Sequence, residues 1–201
     1  MSWIETIDYD QADAALKKIY DRVKGPDNNV DNVLLVHSLR PHTLIGHMTL
    51  YKNVLHHANN ILPKWYLEAI GVYVSYLNKC NYCTNHHYAG FTRLYDGEHR
   101  PEDFMHAVTN DHLNTFFDDR LFAGCVYAKR LTLHQQDVGR DEYLKLRDAG
   151  FTDGEILEIN QVTSYFNYVN RTVNGLGVTL EGDILGLSPN DNDDPNNWHH
   201  G

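Results

Sequence analysis

The 201-residue sequence has only three cysteines, which is too few for the disulfide framework of a small secreted domain. It has no uninterrupted apolar run approaching the roughly eighteen residues that a membrane-spanning helix needs. The opening segment MSWIETIDYD has no basic stretch followed by an apolar one, so no secretory signal is indicated. We therefore expect a protein of the reducing cytoplasm.

Positive charge is also scarce. Lys and Arg number 17 against 27 Asp and Glu, and the acidic residues are spread along the chain, which gives a formal net charge of -10. Because nucleic acids and anionic membranes attract basic patches, neither is an expected partner. The hydrophobic content of 42% is enough for one domain with a substantial core.

Helical patterning is what the sequence has in abundance. Apolar residues recur at steps of three and four, and alternating strands bounded by hairpin turns are scarce. This pattern predicts an all-α fold. Asp8 or Asp10 is the predicted cap of the first helix, and Thr152 and Glu155 have the spacing of a capping box before the last long helix.

The chain is predicted to form one domain at 1–187, with its motif core at 41–131, followed by a polar tail at 188–201. The tail, SPNDNDDPNNWHHG, is rich in Asn, Asp and Pro and too poor in apolar side chains to form a core. We expect it to be ordered only where it docks on the domain.

The most distinctive segment is KCNYCTNHHYAG, where Cys80 and Cys83 have the C-x-x-C spacing typical of redox or metal chemistry. The cysteines are predicted to lie at a helix N-terminus. Residues three, four and seven apart share a helix face, so Cys80, Cys83 and His87 form one stripe, with His86 on the neighbouring flank. The helix dipole near Cys80 and an imidazole one turn from Cys83 both favour the thiolate. The pair is therefore a candidate redox-active dithiol.

Glu68 lies in the otherwise apolar helix LEAIGVYVSYL, where core packing alone would not place a charge. A buried carboxylate needs a partner, and His87 on the following antiparallel helix is the predicted one. A hydrogen bond between them would orient the imidazole and raise its basicity. The alternative for Glu68 is a structural ion pair with Arg or Lys, and His56 and His57 are interpreted as surface or interface residues.

The run from Glu68, twelve positions on to Cys80 and then through CNYCTNHH to His87, resembles the alkyl hydroperoxidase D (AhpD)-like core of the carboxymuconolactone decarboxylase superfamily. The later segment LRDAGFTDGEILEINQVTSYFNYVNRTVNGLGV is similar to the C-terminal half of the uncharacterized peroxidase-related branch of that superfamily. The resemblance extends from about the third helix onward. It implies an AhpD-like multi-helical fold that assembles as a homo-oligomer (trimer, hexamer or dimer), with no metal or organic cofactor.

The resemblance also implies a division of labour. Cys83 meets the peroxide and becomes a sulfenic acid, Cys80 resolves it as a disulfide, and Glu68 and His87 relay protons. Helix-dipole reasoning alone favours Cys80 as the better thiolate. The assigned order therefore rests on the resemblance and on the nearness of His87 to Cys83.

The predicted function is an antioxidant oxidoreductase with peroxiredoxin-type activity, which reduces hydrogen peroxide or an organic hydroperoxide and is re-reduced by an external dithiol. Tyr82 stands where the relatives have a relay histidine, so we expect weaker turnover or a different reductant. Tyr82 and His86 are expected to lie around the reacting groups rather than to react, and a surface position is the alternative for His86. Two alternatives stay open. One is a cofactor-free decarboxylase of the carboxymuconolactone type that uses His87 and Glu68. The other is a non-catalytic assembly or zinc-binding protein, although no second metal-ligand pair at a recognisable spacing is present.

Other residues have simpler interpretations. Cys125, in the apolar run FAGCVYA, has no neighbouring base and is expected to be inert. Tyr165, Phe166, Tyr168 and Arg171 cluster on one predicted helix, where they line either the pocket or an interface.

Overall fold

The computed structural model describes residues 1–189, 192–194 and 196–199, and within these ranges the chain forms α-helices and no β-strand. The predicted all-α fold is confirmed. The helices are α1 (Ala14–Tyr20), α2 (Asn32–Leu35), α3 (Pro41–Leu55), α4 (Lys64–Leu77), α5 (Asn81–Leu94), α6 (Pro101–Thr109), α7 (Asp119–Leu133), α8 (Arg140–Asp148) and α9 (Asp153–Leu176). None of the helices in the described ranges is long and apolar enough to cross a membrane.

Local sequence sets the helix ends. The Glu155 N–H donates to the Thr152 hydroxyl and the Thr152 N–H donates to the Glu155 carboxylate, so the predicted capping box of α9 is confirmed. The predicted cap of α1 is wrong. Asp13, rather than Asp8 or Asp10, accepts a hydrogen bond from the third residue of this helix, because α1 begins directly after Asp13.

Helix α4 is the centre of the fold. All of its residues from Tyr66 to Ser75 are buried, because α4 packs against α5, α7 and α9. Gly71 allows a close approach between α4 and α9, since the Phe166 ring occupies the space that a Cβ atom would need. Two helices held this closely give the site a rigid base.

The connection between α4 and α5 is only three residues long, at 78–80. Lys79 adopts the left-handed backbone conformation, with φ at 56°, and Cys80 N–H then donates to the Ser75 carbonyl at 2.9 Å. Because so short a connection makes neighbouring helices antiparallel, α5 returns along α4. Gly90 of α5 passes so close to Glu68 of α4 that an added Cβ would lie 3.3 Å from the carboxyl carbon.

A second apolar cluster forms around α1, α2 and α3 and includes Trp198, which is fully buried. The Arg22 guanidinium lies 3.5 Å from the centre of the Trp198 ring. Part of the segment predicted as a tail is therefore docked on the helices. Its residues 190, 191, 195, 200 and 201 lie outside the described ranges, and the division at 187 stays a prediction.

Candidate active site

The two cysteines of the C-x-x-C segment lie side by side at the start of α5. Cys80 is the N-cap residue and Cys83 lies in the first turn, and both are free thiols. Their Sγ atoms are 2.6 Å apart, and the Cys83 N–H donates to Cys80 Sγ at 3.4 Å. Disulfide formation between sulfurs this close needs little movement of the backbone.

The two thiols differ in acidity. The hydrogen bond from Cys83 lowers the pKa of Cys80, and the Asn170 amide on α9 adds to this effect. Burial, followed by the neighbouring Cys80, raises the pKa of Cys83 well above its usual value. Cys80 is therefore the more acidic thiol of the pair. Asn170 is itself held in place because its amide donates to the Ser75 hydroxyl at 3.0 Å.

Glu68 is buried between two imidazoles. His87 Nδ1 donates to Glu68 Oε2 at 2.7 Å, and His56 Nε2 lies 3.5 Å from Glu68 Oε1. Burial raises the pKa of this carboxyl, but the attraction of His87 and His56 is stronger and lowers the pKa to about 2. Glu68 is therefore ionised. Because its charge holds the proton on His87 Nδ1, the other ring nitrogen, Nε2, is the atom left to accept a proton.

The interpretation of His56 as a surface or interface residue is wrong. His56 is 2% exposed, and besides Glu68 it contacts the Tyr51 hydroxyl at 3.2 Å. His57 is partly exposed and bonds the Asp193 carbonyl through its Nε2 at 3.1 Å. Since α3 ends at Leu55, helical periodicity did not extend far enough to predict which of the paired histidines turns inward.

Tyr82 and His86 lie on another flank of α5, with their ring centres 4.5 Å apart. The Tyr82 hydroxyl donates to Asp183 Oδ2 at 2.5 Å and accepts a hydrogen bond from Val33 N–H at 3.2 Å. Asp183 also accepts from Asn32 N–H at 3.0 Å. Because burial raises the pKa of Tyr82 well above its usual value, this side chain remains a phenol. Tyr82 thus ties the segment after α9 to α2 and α5.

A cavity of about 60 Å³ opens on Cys83, with Glu68 and His87 in the same wall, whereas Cys80 does not line it. The other walls are mainly apolar or aromatic: Val33, Leu34, Met48, Tyr51, Tyr165, Val169 and Leu187. A molecule in the cavity therefore meets the sulfur of Cys83.

The segment 186–189 after α9 forms one side of the cavity. Arg93 of α5 holds it in place, donating to the Gly186 carbonyl and to the Ser188 hydroxyl, each at 2.6 Å. The C-terminal region thus contributes directly to the site.

The aromatic cluster of α9 is divided in its roles. Tyr165 lines the cavity, and Phe166 packs edge-on against the His87 imidazole, with their centres 4.5 Å apart. Tyr168 is 43% exposed, and exposed Arg171 bonds back to Asn167 of its own helix. Of these four residues, Tyr165 contacts the cavity and Phe166 contacts His87.

Asp31 also lines the cavity, and burial raises the pKa of its carboxyl to about 6. A carboxyl whose pKa is higher in the folded than in the unfolded protein destabilises the fold when ionised, so stability falls as the pH rises from about 4 to 6. We predict that Asp31→Asn increases the free energy of unfolding by about 2 kcal/mol at pH 7.5 and much less at pH 4. Urea denaturation at the two pH values measures this difference. An equal gain at both would contradict it.

The zinc-binding alternative gains no support from the geometry. His87 turns its Nδ1 to Glu68, and across the described ranges no group of three His, Cys, Asp or Glu side chains is arranged to hold a metal ion. Cys125 is remote from this chemistry. Burial raises the pKa of its thiol to about 12, as expected of an unreactive cysteine.

No protein-family model and no curated protein matches the sequence, but solved structures match the fold. An uncharacterized peroxidase-related protein from Silicibacter sp. TM1040 is 25% identical, with a TM-score of 0.75 over 89% of this chain and 91% of its own. An alkylhydroperoxidase AhpD-core protein from Ralstonia eutropha JMP134, also described as peroxidase-related, is 21% identical, with a TM-score of 0.72 over 92% and 97%. The debrominase Bmp8 is 16% identical, with a TM-score of 0.66 over 84% and 87%.

The comparisons agree with the fold that was predicted from the sequence. The likeness to the two peroxidase-related structures extends over nearly the whole of each chain. The resemblance predicted from the sequence is therefore confirmed: this chain has the AhpD-like fold of these uncharacterized peroxidase-related structures.

Proposed function

We propose that the protein is a thiol-dependent peroxidase, which reduces hydrogen peroxide or an organic hydroperoxide through a dithiol/disulfide cycle. One arrangement carries this proposal: two free thiols lie 2.6 Å apart, and one of them opens on a cavity beside the hydrogen-bonded His87–Glu68 pair. A nucleophile beside an oriented base is what covalent reduction of a peroxide requires.

In the first step, Cys83 attacks the peroxide. His87 Nε2 accepts the proton of the Cys83 thiol, and the resulting thiolate bonds to one oxygen of the substrate as the O–O bond breaks. Cys83 becomes a sulfenic acid, so its sulfur gives up two electrons. The leaving alkoxide or hydroxide takes the proton from His87 and departs as alcohol or water.

In the second step, Cys80 resolves the sulfenic acid. Its thiolate attacks Cys83 Sγ, the S–S bond forms and the S–O bond breaks. The leaving hydroxide takes up the proton that the Cys80 thiol gave up and departs as water. An external dithiol then reduces the disulfide by thiol–disulfide exchange, and it reaches Cys83 first because this sulfur lines the cavity. The cycle as written requires only the two cysteines, the His87–Glu68 pair and the reductant.

Assembly as a homo-oligomer is part of the proposal. Ile61 is 70% exposed and Leu157 is 55% exposed, and the Ile61 N–H donates at 2.8 Å to the carboxylate of Glu158, the residue after Leu157. Apolar side chains exposed on this part of the surface are suited to burial against a second copy of the chain.

A thiol count tests the proposed function. Of the three thiols in the protein, Cys80 and Cys83 are expected to be lost on treatment with hydrogen peroxide and recovered on reduction, since only these two are adjacent. Alkylation of the denatured protein and mass spectrometry of the peptide spanning 80–83 measure the disulfide. The matched control is Cys125→Ser, which should lose both of its remaining thiols. Unchanged thiols after peroxide treatment would refute the proposal.

Reductive dehalogenation is a second candidate, because the debrominase has a similar fold and a cysteine-to-alanine variant of it was crystallised with 2,3,4-tribromopyrrole. The same dithiol would supply two electrons, replacing C–Br by C–H with release of bromide and formation of the disulfide. However, the cavity of about 60 Å³ is smaller than the roughly 150 Å³ cavity known to hold benzene, so its volume favours a peroxide. Bromide release from a brominated pyrrole distinguishes the two reactions.

The decarboxylase alternative uses only His87 and Glu68. Alkylation of the thiols separates it from both redox reactions, because it would leave acid–base chemistry largely intact and stop dithiol chemistry.

A further inference from the structure

Two imidazoles that line the cavity have a buried ring nitrogen with no hydrogen-bond partner among the described residues. They are His47 on α3, which is 4% exposed, and His86 on α5, which is 9% exposed. The unpaired atoms are His47 Nδ1 and His86 Nε2. His86 Nε2 lies 3.3 Å from Asp183 Oδ2 but without the alignment of a hydrogen bond. Since buried polar atoms are normally paired, these two indicate where a ligand completes the site.

The protonation state of His47 follows from its neighbour Tyr165. The Tyr165 hydroxyl lies 3.5 Å from His47 Nε2, and burial raises the pKa of this phenol well above its usual value, so it is the donor. Burial, with His37 and His87 nearby, lowers the pKa of His47 to about 3, so its ring is neutral. A neutral ring that accepts at Nε2 carries its proton on Nδ1. His47 Nδ1–H is therefore a buried donor that has no acceptor among the described residues.

His47 is also placed near the reacting groups. The Tyr51 ring lies between the two imidazoles, with its centre 6.5 Å from that of His47 and 6.1 Å from that of His87. On the other side, His86 lies one helical turn from Cys83. The unpaired nitrogens thus belong to the same small space into which the attacking sulfur opens.

Size and charge limit what fits this space. A water molecule needs about 10–15 Å³ of such volume, so a cavity of about 60 Å³ takes roughly four to six non-hydrogen atoms. The described residues that line it include the carboxyl groups of Glu68 and Asp31 but no Lys or Arg, which disfavours an anionic ligand.

We propose that the cavity is selective for small, uncharged hydroperoxides, either hydrogen peroxide or one with very few carbon atoms, and that His47 and His86 bind the substrate oxygens. This inference rests on the proposed function and names the substrate class of that site. His47 Nδ1–H donates to a peroxide oxygen, while His86 Nε2 pairs with the hydroxyl group of the same substrate. Fatty-acid hydroperoxides are excluded both by their length and by their carboxylate.

Two substitutions of His47 separate binding from packing. The amide nitrogen of an asparagine takes the place of Nδ1, whereas that of a glutamine takes the place of Nε2. His47→Gln is therefore expected to raise KM for hydrogen peroxide about fivefold to tenfold, as for the loss of one hydrogen bond, with kcat within twofold. His47→Asn should stay close to the wild type. Equal KM values in all three proteins would overturn the proposal, provided that thermal melts show all three folded.

The substrate series gives a second test. Values of kcat/KM are expected to fall in the order hydrogen peroxide, ethyl hydroperoxide, cumene hydroperoxide and linoleic acid hydroperoxide. His47→Gln should lower the first value and leave that for cumene hydroperoxide within twofold. If the wild type turns over cumene or linoleic acid hydroperoxide as well as hydrogen peroxide, the proposed selectivity is wrong.

A binding measurement distinguishes failure of this inference from failure of the proposed function. In the double variant Cys80→Ser/Cys83→Ser, which has neither thiol of the site and is labelled with ¹⁵N-histidine, hydrogen peroxide is expected to shift the His47 and His86 resonances. Absence of these shifts would overturn the inference even if turnover depends on Cys83. If the resonances shift but the wild-type protein consumes no hydroperoxide, the proposed peroxidase activity is refuted and the proposed binding site is retained.

Discussion

Replacing Cys83 by serine is expected to lower kcat/KM for hydrogen peroxide by about a thousandfold or more. Of the two paired cysteines, only Cys83 lines the cavity, and a serine hydroxyl does not form an appreciable anion at neutral pH. Peroxide consumption coupled to an external dithiol measures this effect. The control is Cys125→Ser, which alters a buried thiol remote from the cavity and should keep wild-type turnover.

The companion variant, Cys80→Ser, determines which sulfur is oxidised first. Acidity favours Cys80 as the nucleophile, because its pKa is lowered and that of Cys83 is raised, whereas access to the cavity favours Cys83. If access to the cavity determines which thiol reacts first, the Cys80→Ser protein accumulates a sulfenic acid on Cys83 that dimedone traps. Steady-state turnover then stops because no resolving thiol is present. Dimedone labelling of Cys80 in the Cys83→Ser protein would reverse the proposed order.

Replacing Glu68 by glutamine is expected to lower kcat/KM about a hundredfold, since general-base catalysis contributes about 10²–10⁴ and the His87 imidazole depends on the carboxylate for its orientation and for keeping its proton on Nδ1. Glutamine has nearly the same shape but carries no charge. The loss should fall mainly on kcat, and the rate of dimedone labelling in the Cys80→Ser background should fall with it.

The same substitution has a stability effect whose pH dependence follows from the lowered pKa of Glu68, about 2. A carboxyl whose pKa is lower in the folded protein stabilises the fold above its unfolded pKa of about 4.3, and this contribution is lost as the pH falls through the folded value. Glu68→Gln should therefore cost about 3 kcal/mol at pH 5 and little near pH 2. Glu102→Gln, an exposed site on α6, is the matched control and should change neither quantity. A pH-independent difference would assign the loss to packing instead.

The part of the site that could be predicted from sequence is the part built from local spacing. Cys80, Cys83 and His87 share a face of one helix, and Glu68 stands out as a charge in an apolar helix. The capping box of α9 is predictable for the same reason, because both of its partners lie within one turn. The cap of α1 was missed because aspartates recur at positions 8, 10 and 13, so a shift of three residues in the helix start replaces one candidate cap by another.

The rest of the site depends on contacts between distant parts of the chain. Tyr82 and Asp183 are 101 positions apart, and His47 and Tyr165 are 118 apart. Asp183 lies in an irregular segment after α9, so no periodicity signals its role. The relative acidity of the two thiols could be predicted only in part. It depends on the helix dipole, which the sequence indicates, but also on burial and on Asn170 of another helix, which it does not.

The wall formed by 186–189 has a consequence for how the protein is made. The dithiol is synthesised about one hundred residues before this wall. Arg93 cannot form its hydrogen bonds to Gly186 and Ser188 until these residues have left the ribosome. During that interval the cavity lacks one side, so Cys83 faces the cellular thiols and oxidants without the enclosure that the finished fold provides. Reductant in the translating cell thus protects the dithiol before the protein's own architecture does.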